Sequence, residues 1–402
     1  MAEEAPRAAG SGVAMTAPVI AGPQRSTARP HTPANHATSA TGDATDRWKA
    51  WDAFLESNTA TGFMQSSWWS DFRATTGWES FGVMLKHGST IVAGATVMKF
   101  AYTTEHCFYY IPEGPVLPAD AASAEQAFRR ILDSIETRRA SDAQVVSHLR
   151  IEPRWQHAPV FVRGFHPANT FMEPRNTICI DLRPSEEAVL AQMKPKGRYN
   201  VRLAQRHGVS VTEDVSPRGL EDFLTIYADT VRRHTLRGKP PRYFRALIPL
   251  LSATGRGSVF FAEYRSTRLA TALVVYFGRR ATYFFGGSLD VHRNVMAPYL
   301  LHFEIMRRAR ALGYESYDLW GVAPEGEPNH SWRDISVFKR KLGGHELALV
   351  PTLDYVYDPV AYEGYTTWYS AQRKSPGGAP ARLTEAAHLT RLAPDPAVRD
   401  PG

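Results

Sequence analysis

Three cationic stretches carry the side chains best suited to chemistry in this 402-residue chain. The first, Met193 to Val209, reads MKPKGRYNVRLAQRHGV and sets Lys194, Lys196, Arg198, Arg202, Arg206 and His207 around a stripe of Tyr199, Val201 and Leu203. The second, Thr230 to Lys239, contains Arg232, Arg233, His234 and Arg237 and is followed by Tyr243 and Phe244. The third is Val337-Phe338-Lys339-Arg340-Lys341-Leu342, which stops at Gly343-Gly344. Concentrated guanidinium and ammonium groups suit phosphate contact, whereas surface charge normally mixes signs. A solvated helix face is the competing reading of each run. Cys107 and Cys179 lie in apolar, strand-like runs without CxxC or ligand spacing, which predicts buried thiols and neither a zinc site nor a disulfide framework. His148, His292, His302 and His330 show no metal spacing and read as structural or surface residues.

The formal charge of +7 favours acidic partners such as nucleic acid, phosphorylated metabolites or an anionic membrane face. No apolar run is long enough to cross a bilayer, so the expectation is a cytoplasmic protein, soluble or peripheral at the inner face of the plasma membrane. Residues 1–46, rich in Ala, Pro, Thr and Ser, lack the apolar core of a secretory signal and predict a disordered leader. Residues 373–402 predict a disordered tail on the same grounds.

Positioning falls to a repeated pattern. Strand-like runs at Ser80 to Leu85, Thr90 to Phe100 and His106 to Ile111 precede a helix at Ser123 to Arg139 and a strand at Gln144 to Ile151. The order returns with strands at Ser258 to Tyr264, Leu269 to Phe277 and Arg280 to Phe285, a helix from Ala297 ending at Gly313, and a strand at Ser316 to Trp320. The expectation is an α/β (α+β) chain with mixed sheets and flanking helices. Its domains are expected at 47–168 and 169–345, with 346–372 returning to the first. This order is that of the acyl-CoA N-acyltransferase-like, or GNAT, fold, in tandem. In that fold, glycines before the central helix offer N–H groups to a pyrophosphate. Here Pro118 and Pro298 occupy the corresponding turns, which disfavours conventional acetyl-CoA chemistry.

Taken together, several pieces resemble the FemABX family of aminoacyl-tRNA-dependent transferases. They are Phe63-Met64-Gln65-Ser66 before Trp68-Trp69, Tyr110-Ile111-Pro112 leading to Gly114-Pro115-Val116, and Met193-Lys194 with Arg198-Tyr199-Asn200-Val201-Arg202. Thr230-Val231-Arg232-Arg233, Tyr317-Asp318-Leu319-Trp320-Gly321 and Phe338-Lys339 before Gly343-Gly344 complete the series. The resemblance implies transfer of an amino acid from aminoacyl-tRNA to a free amine of a peptidoglycan precursor stem peptide, forming an interpeptide bridge. It implies no metal and no cofactor, with aminoacyl-tRNA as co-substrate and a UDP-linked or lipid-linked muramyl pentapeptide as acceptor. Because the ester is already activated, alignment, proton acceptance and oxyanion stabilisation suffice.

Residue by residue, the resemblance makes Lys339 the group that stabilises the oxyanion or the departing ribose oxygen. Arg233 would meet the precursor diphosphate, and Arg73 stands where relatives carry a precursor-binding lysine. Arg198, Arg202 and Tyr243 complete the substrate-binding set. Asp318 is a second catalytic candidate that would orient the amine, with turn capping as its alternative. An acidic residue often follows Gly-Pro-Val in the family; here Leu117-Pro118 intervenes, leaving Asp120 and Glu113 as weak substitutes for a base. Two alternatives remain: the same transfer to a secondary metabolite, polysaccharide or protein acceptor, and a non-catalytic module binding an anionic polymer or membrane.

Overall fold

The computed structural model describes Val19–Ala21, residues 40–327 and residues 329–374. Strand β1 (Val19–Ala21) and helix α1 (Ala40–Ser57) precede a 3-10 turn at Phe63–Gln65 and helix α2 (Ser67–Ala74). Then come β2 (Glu79–His87), β3 (Thr90–Ala101), β4 (His106–Pro112), α3 (Ala121–Ala140), β5 (Val145–Glu152) and β6 (His166–Pro167). The second unit opens with β7 (Asn176–Asp181), α4 (Glu186–Gln192), α5 (Pro195–Arg206), β8 (Ser210–Glu213), α6 (Pro217–Arg233) and α7 (Pro241–Ala253). It continues with β9 (Gly257–Tyr264), β10 (Thr267–Phe277), β11 (Arg280–Ser288), α8 (Ala297–Ala311), β12 (Ser316–Asp318), α9 (Arg333–Lys341) and β13 (His345–Ala348). Finally β14 (Leu353–Val356) and α10 (Pro359–Lys374) carry the chain back.

Two seven-stranded sheets result, ordered β1-β2-β3-β4-β5-β14-β6 and β13-β7-β12-β11-β10-β9-β8. In each, three antiparallel strands are followed by a helix and a strand parallel to the third. The tandem α/β, GNAT-like architecture follows directly from that order. Strand β13 belongs to the second sheet, pairing with β7, so the chain crosses back after Ala348 rather than at 346.

Two elements lie inside the segment read from sequence as leader. β1 pairs with β2 from Val19↔Val83 to Ala21↔Phe81, and α1 begins at Ala40. The physical reason is that β2 would otherwise be an edge strand with unpaired backbone groups. The remainder of that leader, and the expected tail beyond Lys374, lie outside the described residues.

Local signals explain the helix starts. Ser66 accepts from Trp69 N, Asp120 from Ser123 N and Ser216 from Gly219 N, each satisfying a donor of the first turn. Proline opens α5, α6 and α7, where its missing N–H costs nothing.

One core cluster runs across both units and welds them. Phe63 sits edge-on to Phe284 at 5.1 Å and tilted to Trp320 at 6.2 Å, and Phe72 meets Tyr243 at 4.9 Å. Gln65, fully buried, bonds Thr96 through both ends of its amide and donates to the Pro112 carbonyl. Phe63-Met64-Gln65-Ser66 is therefore an interface wedge, held by rings on one side and by strand backbone on the other.

Candidate active site

Lys339 lies on α9, whose outer face is cationic, yet its own side chain turns inward and the residue is 7% exposed. Nζ donates to the carbonyls of Gly321 at 2.8 Å and Trp320 at 3.4 Å, and sits 5.3 Å from the Tyr283 ring centroid. Burial brings the amine down to about 7, with the Asp318 carboxylate pulling the other way. Its neighbours diverge: Arg340 forks onto Glu346 and the Ala323 carbonyl. A run of three cations in sequence thus separates into one buried amine near neutrality and a surface pair.

The backbone that holds Lys339 is shaped by Asp318. Fully buried at the end of β12, its carboxylate accepts from the Thr177 hydroxyl, from Trp320 N at 2.9 Å and from Arg154 Nη2 at 2.9 Å. Trp320 adopts a left-handed φ of 58°, and the bond from its N–H to Asp318 fixes that turn. Burial opposes ionisation of Asp318, but Arg154, Arg280 and the bonds from Thr177 and Trp320 hold it below the ordinary carboxylate range. The carboxylate therefore caps the turn that positions Lys339.

Beside this turn the second sheet opens. β11 and β12 pair only from Arg280↔Ser316 to Thr282↔Asp318. Past that point Tyr283 and Gly286 to Ser288 line a cavity of about 740 Å³, closed on its other sides by Tyr299, His302 and Phe338. Arg233 stands at this cavity, donating to Asp229 at 3.0 Å and to the Ser288 carbonyl at 2.7 Å. His302 is buried, bonded to the Tyr317 hydroxyl at 2.9 Å, and brought down to about 3 by burial and then by the charge of Lys339. It is a neutral wall of the cavity.

A second group forms where α2 meets the loop before α7. Arg73 stacks on Trp78 at 4.5 Å and Trp69 at 5.9 Å, and Lys239 sits 5.4 Å from the Tyr243 ring centroid. Glu173 is raised to about 8 by burial, against the pull of Lys239 and Arg73. The structure thus brings Arg73 and Tyr243 together, through the Phe72–Tyr243 contact, on one wall of the interface.

The opening basic stretch plays a different part. Arg198 donates to the carbonyls of Met193 and Ala191, closing the end of α4. Arg202 is exposed, and Tyr199, 49% exposed, lies between Lys196 at 5.1 Å and Arg206 at 5.8 Å. The inner face packs so closely that a Cβ on Gly197 would come within 2.2 Å of the Lys341 carbonyl, and Lys194 N donates to that same carbonyl at 3.2 Å. Helix α5 therefore braces the C-terminal end of the helix that carries Lys339.

Of the substitute bases, Asp120 caps α3 and is exposed, while Glu113 is buried, accepting from Met64 N at 3.1 Å and from Arg154 Nη1 at 3.1 Å. The residue that sequence reasoning missed is Arg154. Its signal was the tripeptide Glu-Pro-Arg, present at 152–154 and again at 173–175. The two copies meet, since the Glu152 carboxylate accepts from Met172 N at 2.7 Å and Glu173 N at 3.0 Å.

Both cysteines are buried thiols, raised to about 12 by burial. Among the described residues, no group of three or more His, Cys, Asp or Glu side chains could hold a metal ion, and no helix is long and apolar enough to cross a membrane.

Comparison with known proteins places this geometry. The FemAB family model matches residues 47–164, and the acetyltransferase (GNAT) domain model matches residues 195–330. The UDP-N-acetylmuramoylpentapeptide-lysine N(6)-alanyltransferase of Weissella viridescens is 24% identical over 302 residues, covering 71% of this chain and 87% of the relative. A lipid II:glycine glycyltransferase of Staphylococcus saprophyticus is 21% identical, covering 78% of this chain and 93% of the relative. The crystal structure of FemX superposes with a TM-score of 0.70 at 16% identity, covering 79% of this chain and 97% of that one, which shows a shared fold. The FemAB family model falls on the first unit and the GNAT domain model on the second, so the chain is similar to the FemABX transferases and has the tandem GNAT-like fold.

Proposed function

We propose that this protein transfers an amino acid from aminoacyl-tRNA to a free amine on the stem peptide of a peptidoglycan precursor. The observation that carries the reading is Lys339: a buried amine brought down to about 7, held against the Tyr283 ring that lines the cavity of the second unit. The similarity to transferases named for muramoylpentapeptide and lipid II supports the acceptor class.

In this reading the acceptor nitrogen attacks the ester carbonyl carbon. The tetrahedral oxyanion is stabilised by protonated Lys339, the bond from carbon to ribose oxygen breaks, and the Nζ proton goes to that oxygen. The attacking amine becomes an ammonium in the tetrahedral intermediate, and the proton it loses returns Lys339 to its protonated form. An acid–base group titrating near the working pH serves both transfers. Arg233 and the Arg73–Lys239 wall offer cations to the phosphates of the two substrates, with guanidinium forks suited to a diphosphate. The exposed cations of α5 offer a surface to the tRNA backbone or to the anionic inner leaflet, which makes the protein cytoplasmic or peripheral in this reading.

The test mixes purified protein with radiolabelled aminoacyl-tRNAs and either UDP-linked or lipid-linked muramyl pentapeptide. Label is expected in the stem peptide with one of the acceptors. Absence of transfer from every charged tRNA would overturn the assignment.

A further inference from the structure

Arg154 belongs to the first unit, following β5 and Pro153, yet its guanidinium ends on the second. Its side chain is 8% exposed. Nη1 donates to Glu113 Oε1 at 3.1 Å and Nη2 to Asp318 Oδ2 at 2.9 Å, across 164 residues of sequence. Glu113 is itself immobilised: its other oxygen accepts from Met64 N at 3.1 Å, and a Cβ on Gly62 would fall within 1.9 Å of its carboxyl group. On the far side, Asp318 fixes the turn at Trp320, and the Trp320 and Gly321 carbonyls receive Lys339. A continuous path of buried polar contacts therefore runs from the first unit to the lysine amine.

We propose that Arg154 is a positioning residue for the transfer step, coupling the docking of the two units to Lys339 by clamping Asp318 from the first unit. This rests on the role given to Lys339 under the proposed function. The charges explain why a cation is needed at this position. Glu113, Asp318, Arg154 and Arg280 form a group of two acids and two permanent cations, with Arg280 anchored on the Thr59 and Thr61 carbonyls. The other groups around Lys339 are the Tyr283 ring, His302, which is neutral at working pH, and Tyr317, raised by burial. Cys179, buried near Asp318, is also neutral. Taking Arg154 away leaves a net negative group beside Lys339, and loss of a nearby cation raises every proton affinity in a coupled set. Removing Glu113 leaves an excess cation and acts in the opposite sense.

The experiment titrates Lys339 in the full chain, by NMR of lysine labelled at Cε and assigned with Lys339→Met. The wild-type midpoint is expected at about 7. Arg154→Gln should move it up by about one pH unit, and Glu113→Gln should move it down by a comparable amount. Arg154→Lys, which keeps the charge but not the fork, should leave the midpoint near the wild-type value. An unmoved midpoint in both Gln variants, each showing a cooperative thermal transition, would reduce Arg154 to a structural bridge and overturn the proposal. If Arg154→Gln does not fold, Glu113→Gln decides by its sign alone. Titration needs no substrate, so opposite shifts with no transfer activity in any assay would overturn the proposed function while leaving the coupling to Lys339 intact.

Discussion

The two units share an order of elements and differ at one seam. In the first, β4 and β5 stay paired from His106↔Val145 to Pro112↔Glu152. The chain then turns at Glu113, and Val116 bonds back to Gly94 of β3 in both directions, at 2.9 Å and 3.0 Å, which keeps the chain on the sheet beyond the end of β4. In the second, β12 ends after three residues because Asp318 turns to cap Trp320, while β11 runs on beside β10 to Ala270↔Ser288. The unmatched edge of β11 faces the cavity. The same fold thus keeps its parallel strands paired in one unit and parts them beside a cavity in the other. The length of one parallel pairing makes the difference.

The sharpest way to break the contrast is to remove Lys339 from the open seam. Lys339→Met should lower kcat by at least about a hundredfold, while precursor affinity stays within a few fold, measured by transfer kinetics and by calorimetry. The thermal response carries a sign. The folded-state amine titrates at about 7, below its ordinary value of 10.5, so the native state resists a proton that the unfolded chain accepts. That penalty is complete below pH 7 and fades as pH rises toward 10.5. The change in Tm caused by Lys339→Met should therefore be more favourable at pH 6 than at pH 9. In wild type, the limb of kcat/KM set by Lys339 should be level below about 7 and fall as pH rises above it, because the protonated amine is the active form, and that break should vanish in the variant.

Next, filling the seam should separate binding from stability. Val291, 49% exposed, lines the cavity, and Val291→Trp should raise KM for aminoacyl-tRNA about tenfold with Tm unchanged. The reciprocal change in the first unit is Val116→Ala, at a residue 2% exposed that bridges to β3 just past β4. It should cost about 1–3 kcal/mol in denaturant unfolding while leaving kcat near wild type. A loss of activity at Val116 matching that at Val291 would erase the distinction.

The smallest effect is expected at the braces. Replacing Lys196, Arg202 and Arg206 together by Ala should weaken tRNA binding a few fold at low salt and flatten its salt dependence. Intrinsic transfer at saturation should hold, because the inner face of α5 is untouched.

The repeat was legible because its signals are local. Alternation marks the strands, and the central helix of the first unit, expected at Ser123 to Arg139, falls at Ala121–Ala140. The approximate ends of the central helices follow from Asp120 and Gly313. The candidate lysine was legible through its neighbours Phe338 and Gly343-Gly344; a Cβ on Gly343 would come within 2.1 Å of the Gln192 carbonyl. Nothing in a cationic run says which member turns inward, and nothing local joins Arg154 to Asp318.

By itself, then, the sequence determined the order of strands and helices, the charge of the surface and the family resemblance, since these depend on spacing along the chain. Tertiary structure decided which cation is buried, where the sheet opens and which acid meets which arginine. Those outcomes depend on desolvation and on contacts such as Arg154 with Asp318, which arise only when residues far apart in sequence share one low-dielectric interior.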